Sequence, residues 1–164
     1  MEQLLHSRKF EVEYYEQDEH RWQVISRLND DVHDIRAALE ISVPEMVVLA
    51  ASVEFVRYPL EECPAVAAQM QALVGANLFE DFSDRMRQLF RGAEGCPNVM
   101  NLLSTSTPGL IYFYFPDQMK TGKMRPEEWQ KLVATRLAHD CLAHKLMLQK
   151  YAASRPAAPE KQGA

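Results

Sequence analysis

The run Gly92-Ala93-Glu94-Gly95-Cys96-Pro97-Asn98-Val99 sets a cysteine between a two-glycine turn and a proline suited to the first position of a helix. A thiol at a helix start lies beside unpaired backbone N–H groups and the positive end of the helix dipole, both of which stabilise an anion. Cys96 is therefore a candidate nucleophile or metal ligand, because the thiolate is the reactive form. The same N–H groups make Gly95, Cys96 and Asn98 a candidate ligand-binding site for the carboxylate or phosphate of a small molecule. The plainer alternative is that the glycines shape a turn and the cysteine fills the core.

A second pair of chemistry-bearing residues lies near the C-terminus. Val133, Leu137, Cys141, His144 and Leu148 recur at helical spacing, so Cys141 and His144 stand one turn apart on a mostly apolar face. Thiolate and imidazole together suit a borderline metal such as zinc or iron. Cys63 precedes a helix much as Cys96 does, and His33 and His139 are the spare imidazoles. The metal candidates are thus Cys63, Cys96, Cys141, His144 and His33. Against this, free cysteine is commonly a small buried hydrophobe, and His33 on a core-facing strand reads as a satisfied buried histidine. No cysteine belongs to a CxxC pair. Walker, GxGxxG, GxSxG and HExxH patterns are likewise missing from the sequence, which removes the reactions that rest on them.

These residues need a scaffold, and the hydrophobic pattern supplies one. Phe10, Val12 and Tyr14 alternate with charged neighbours, and Trp22, Val24, Ser26 and Leu28 repeat the pattern before a turn at Asn29-Asp30-Asp31. Val32 to Ile41 gives a third strand, with Ile35, Ala37, Leu39 and Ile41 on the face of His33 and Asp34 opposite, although its strong helix formers also permit a helix. Met46 to Tyr58 gives a fourth, with Val47, Leu49, Ala51, Val53 and Phe55 on one face. Short turns between four such strands predict an antiparallel meander.

Beyond the linker Pro59–Pro64 the period changes. A helix is expected to about Val74 and another from about Asn77 to Arg91, each stopped by a glycine. A helix from Pro97 is expected to break at Ser104-Thr105-Ser106-Thr107-Pro108-Gly109. Leu110 to Phe115 is apolar throughout and reads as core, strand or helix, followed by a loop from Pro116 to Met124. Pro126-Glu127-Glu128 opens a last helix to about Tyr151. The expected class is α+β: an antiparallel sheet of about four strands followed by four or five helices, a single domain over residues 1–152 with a disordered tail over 153–164.

The totals agree with one folded domain. The chain has 164 residues, 47% hydrophobic and 25% charged, a size and balance that give a single core. Its net charge of −5 carries no basic block, so nucleic acid is not an expected partner. No apolar run is long enough to span a bilayer. The N-terminus lacks the pattern of a secretory signal, and three cysteines suit a reducing compartment, so a cytoplasmic location is expected.

The order of features resembles the bacterial family of unknown function DUF2889. The resemblance is carried by His33-Asp34-Ile35, Pro59-Leu60-Glu61-Glu62-Cys63, Leu73-Val74-Gly75, Gly95-Cys96 and Asp140-Cys141-Leu142-Ala143-His144, and spans roughly Arg8 to Leu148. It implies a compact cytoplasmic bacterial protein and no particular reaction. The family pattern has a histidine shortly after the turn cysteine; this chain has Asn98, which counts against a metal or general-base role there.

The leading expectation is a small ligand-binding protein or accessory subunit of a metabolic complex, holding an anionic ligand at the Cys96 turn. The alternative is a thiol- or metal-dependent enzyme with Cys96 at its centre. A third reading is an interaction module burying Tyr112 to Phe115 against a protein partner or a second copy of the chain.

Overall fold

A computed structural model describes residues 2–137 and 142–154. The predicted tail falls almost wholly, and Cys141 and His139 wholly, outside the described residues. Four strands, β1 (Arg8–Asp18), β2 (Arg21–Asp30), β3 (Asp34–Ser42) and β4 (Val47–Arg57), form one antiparallel sheet in the order β1-β2-β3-β4. A 3₁₀ helix (Cys63–Leu73) follows, then α1 (Phe82–Phe90), α2 (Pro97–Lys120), α3 (Pro126–Leu132), a π-helical turn (Val133–Leu137) and α4 (Leu142–Ser154). The α+β class and the meander are as expected. The chain divides into two compact units, Met1–Phe113 and Tyr114–Ala164, with the division inside α2.

In the first unit the alternation fixes which face is buried. Val24, Leu28, Ile35, Ala37, Leu39 and Ile41 are each at most 2% exposed and form the inner face of the sheet. Val66, Met70 and Leu73 of the 3₁₀ helix, Phe82, Met86 and Phe90 of α1, and Val99, Leu102 and Leu103 of α2 are buried with them. The expected inner face of β4 needs a correction. Glu40 pairs with Ala50 but Ile41 with Val48, so Leu49 is an extra residue in a bulge. Leu49 is exposed and Val48 takes its place in the core.

A second bulge sets up the end of the sheet. Asp34 pairs with Arg57 and Ile35 with Phe55, leaving Val56 as the extra residue. The bulge turns Arg57 to the outer face, beside Asn29 of β2.

The largest departure from expectation is α2, which runs unbroken through Ser104 to Gly109 and on to Lys120. The predicted break is overturned, and of the loop predicted from Pro116 to Met124 only the part after Lys120 lies outside the helices. The hydroxyls of Ser106 and Thr107 both donate back to the carbonyl of Leu103, within the helix, instead of opening a turn. Tyr14 of β1 donates its hydroxyl to the Ser106 carbonyl at 2.7 Å. Burial pushes the Tyr14 hydroxyl up, which keeps it a donor. This approach is possible because residue 109 is glycine: a Cβ there would lie 1.9 Å from the Tyr14 hydroxyl oxygen. Tyr14→Phe removes this tie of sheet to helix and is expected to lower unfolding free energy by about 1 kcal/mol in a urea titration; an unchanged midpoint would show that the Ser106 carbonyl needs no such donor.

In the second unit Phe115 is 3% exposed and stacks with Trp129 of α3 at 6.0 Å between ring centres, and Val133 is fully buried. The apolar run Leu110 to Phe115, expected to be core throughout, is split by the helical period: Leu110, Tyr114 and Phe115 are buried, whereas Tyr112 and Phe113 are exposed. Glu128 caps the start of α3, accepting the Arg125 backbone N–H at 2.8 Å and its guanidinium at 3.1 Å.

Candidate functional site

The residues that gather most side-chain chemistry are at the turn between β2 and β3. Asp30 ends β2, and its carboxylate closes the turn: Oδ1 accepts the backbone N–H groups of Val32 at 2.8 Å and His33 at 2.6 Å. Oδ2 accepts from Nε of Arg8 at 2.6 Å, and the His33 ring Nδ1 lies 3.2 Å from Oδ1. The pairing Arg8↔Asp30 is the last rung of the β1–β2 ladder, so sheet register itself delivers the guanidinium to the carboxylate. Burial pushes the Asp30 carboxyl up, but the His33 and Val32 N–H groups and Arg8 together outweigh it and hold the group well below the usual carboxylate range.

Arg57 closes the turn from the other side. Its Nη2 donates to the Asn29 side-chain oxygen at 2.9 Å, to the Asp30 carbonyl, and to the His33 carbonyl at 3.3 Å. One residue further, Arg27 grips the buried Asp34 with two parallel bonds of 2.8 and 2.6 Å, which lowers the Asp34 carboxyl against the cost of its burial.

Around this hub lie two clefts. The first, of about 390 Å³, is lined by His6, Ser7, Arg8, Asp30, Asp31, Val32 and His33. His6 forms one wall, and its Nδ1 lies 2.7 Å from the Asp31 carboxylate. The second, of about 450 Å³, is lined by Lys9, Asn29 and Arg57 and shares Ser7, Asp30 and Asp31 with the first.

The structure brings together two of the residues expected from sequence and leaves others apart. Arg8 donates through Nη1 to the Asn98 side-chain oxygen at 3.2 Å, so Asn98 of α2 and His33 of the turn are joined through Arg8 and Asp30. His33 precedes β3 instead of standing in it, and it is part-buried at the cleft, not in the core. Cys96 is the residue before α2, part-buried, and its carbonyl accepts the Met100 N–H, so it caps the helix as expected. Gly95 is packed against the end of α1: a Cβ there would lie 2.2 Å from the Phe90 carbonyl carbon and oxygen. The two-glycine turn is therefore tightly fitted to α1, which is the steric reason for glycine at that position.

Cys63 begins the 3₁₀ helix and is part-buried. His144 lies on α4 in the second unit. Among the described residues no three of His, Cys, Asp and Glu gather into a set able to hold a metal ion, and Cys141 falls outside those residues.

Sequence reasoning passed over Arg8, Asp30, Arg57 and His6. The signal for two of them was present: once Phe10 is set opposite Leu28, counting outward puts Arg8 opposite Asp30. Arg57 could not be reached that way, because the Val56 bulge shifts it by one residue.

A four-stranded antiparallel meander followed by helices, with an arginine–aspartate hub and clefts at one end of the sheet, defines a small α+β protein with its polar chemistry at a strand turn. The chain belongs to the DUF2889 family, proteins of unknown function, whose model matches residues 6–110, well over half of the chain. The match takes in the whole hub, Cys63, Cys96 and Asn98, and stops short of Cys141 and His144. No curated protein and no solved structure matches the chain. Among the described residues no helix is long and apolar enough to cross a membrane.

Proposed function

We propose that the protein is a small-ligand-binding module, serving as an accessory subunit in metabolism, whose cleft at the β2–β3 turn receives the anionic group of a small molecule. The observation that carries this reading is the balance of donors and acceptors. The Asp30 carboxylate is turned inward onto the Val32 and His33 N–H groups, and the Arg8 guanidinium offsets its charge. Arg8 spends Nε on Asp30 and Nη1 on Asn98 and, among the described residues, keeps Nη2 for a ligand. A cleft of about 390 Å³ is of the size that encloses a small metabolite.

Relative to the sequence-based expectation, the anion site moves from the Cys96 backbone to Arg8, with Asn98 as the shared residue.

Thermal-shift and calorimetric screening with carboxylates, inorganic phosphate, acyl-CoA thioesters and nucleotides tests the proposal. Stabilisation by about 2.7 kcal/mol is expected for a ligand at a hundred times its Kd, with at least about tenfold weaker binding in Arg8→Gln. No stabilisation across the panel, or binding untouched in a folded Arg8→Gln protein, would contradict it.

A further inference from the structure

The two clefts meet at one rim, formed by Ser7, Asp30 and Asp31, and each holds cationic groups on its own side of the sheet end. Alternation along β1 sends Arg8 to the inner side and Lys9 to the outer side. The Val56 bulge adds Arg57 to the outer side, beside Lys9's partner Asn29. Arg57 spends Nη2 on Asn29, Asp30 and His33, so among the described residues its Nε and Nη1 are unspent, as is the exposed Lys9 ammonium.

Arg8 and Arg57 touch the same residue, one at the Asp30 carboxylate and the other at its carbonyl. Two hydrogen-bond lengths plus the reach across one residue place these guanidinium groups about 10 Å apart at most. The intervening carboxylate is turned inward onto the Val32 and His33 N–H groups and offset by Arg8, and Asp31 is engaged with His6. A single short molecule can therefore meet cations on both sides of the rim.

Resting on the reading of the first cleft as an anion site, we infer that the ligand class is a short dicarboxylate of about four to six carbons, one carboxylate at Arg8 and the other at Lys9 and Arg57. Such a chain, with a hydrogen bond of about 3 Å at each end, covers the separation of the two arginines. Both charges lie near solvent, so the gain from the second is salt-sensitive.

Calorimetric titration of the full chain at pH 7 and low salt, with butyrate and with glutarate, decides the matter. Glutarate is expected to bind about tenfold more tightly than butyrate, the difference shrinking in 0.5 M salt. Lys9→Met is expected to narrow the difference, since Arg57 remains, and Lys9→Glu to make glutarate the weaker ligand; a difference unchanged in both variants would overturn the assignment. Equal affinity for the two acids in the wild type would overturn the dicarboxylate assignment and leave the single-anion cleft standing. Failure of both to bind would overturn the underlying reading as well.

Discussion

Replacing Asp30 with alanine is expected to destabilise the protein by about 3 kcal/mol, seen as a lower urea midpoint. The carboxylate serves three donors at 2.6 to 2.8 Å, two of them backbone N–H groups with no other acceptor shown, and its side chain is only 10% exposed. Removing it leaves those donors unpaired and an arginine without its counter-charge, a larger loss than that of a surface ion pair. Asp30→Asn keeps one acceptor oxygen and is expected to lose less, about 1 to 2 kcal/mol.

The same group gives a pH signature with a definite sign. Asp30 and Asp34 are both held below the usual carboxylate range in the folded protein, so each adds stability that is fully present above about pH 4 and is lost as pH falls towards the depressed folded value. Wild-type stability should fall on acidification below about pH 4, and the fall should be shallower in Asp30→Ala. An alanine variant as stable as the wild type would show that strand pairing and Arg57 hold the turn unaided.

The second large effect is expected at Gly95. Gly95→Ala would set a Cβ 2.2 Å from the carbonyl carbon and oxygen of Phe90, and backbone cannot swing aside as a flexible side-chain tip can. Phe90 is fully buried, so a shift of the α1 end propagates into the core. A loss of about 3 kcal/mol, or a melting temperature lower by about 10 °C, is the expected result. Gly109→Ala meets the Tyr14 hydroxyl instead, which can rotate away at the cost of its bond to Ser106, so it should be the milder substitution. If the two variants melt alike and near the wild type, the turn before α2 is not the close-packed junction described.

What could be read from the sequence follows from where local pattern and tertiary contact agree. The meander was legible because inner-face residues such as Val24, Leu28, Leu39 and Ile41 repeat every second position, and one buried face makes that pattern strict. It failed locally at Leu49 and Val56, since a bulge shifts the phase by one residue without a compositional mark. The continuity of α2 was hidden because Ser, Thr, Pro and Gly are local helix breakers; Tyr14, ninety-two residues away from Ser106, helps keep that segment helical. The candidate site was half legible. His33 and Asn98 stand out in the sequence, the first by its reactive type and the second by its place after the Cys96 turn. Arg8 and Asp30 look like ordinary surface charges until the hairpin register sets them opposite one another.

The central claim is that an anion is received at the β2–β3 turn and not at the backbone N–H groups before α2. Amide and side-chain NMR shifts recorded during titration with butyrate test this most directly. The predicted result is saturable change at Ser7, Arg8, Val32 and His33, with Gly95 and Cys96 left in place. Change centred on Gly95 and Cys96, or no saturable change at any of these residues, would contradict it.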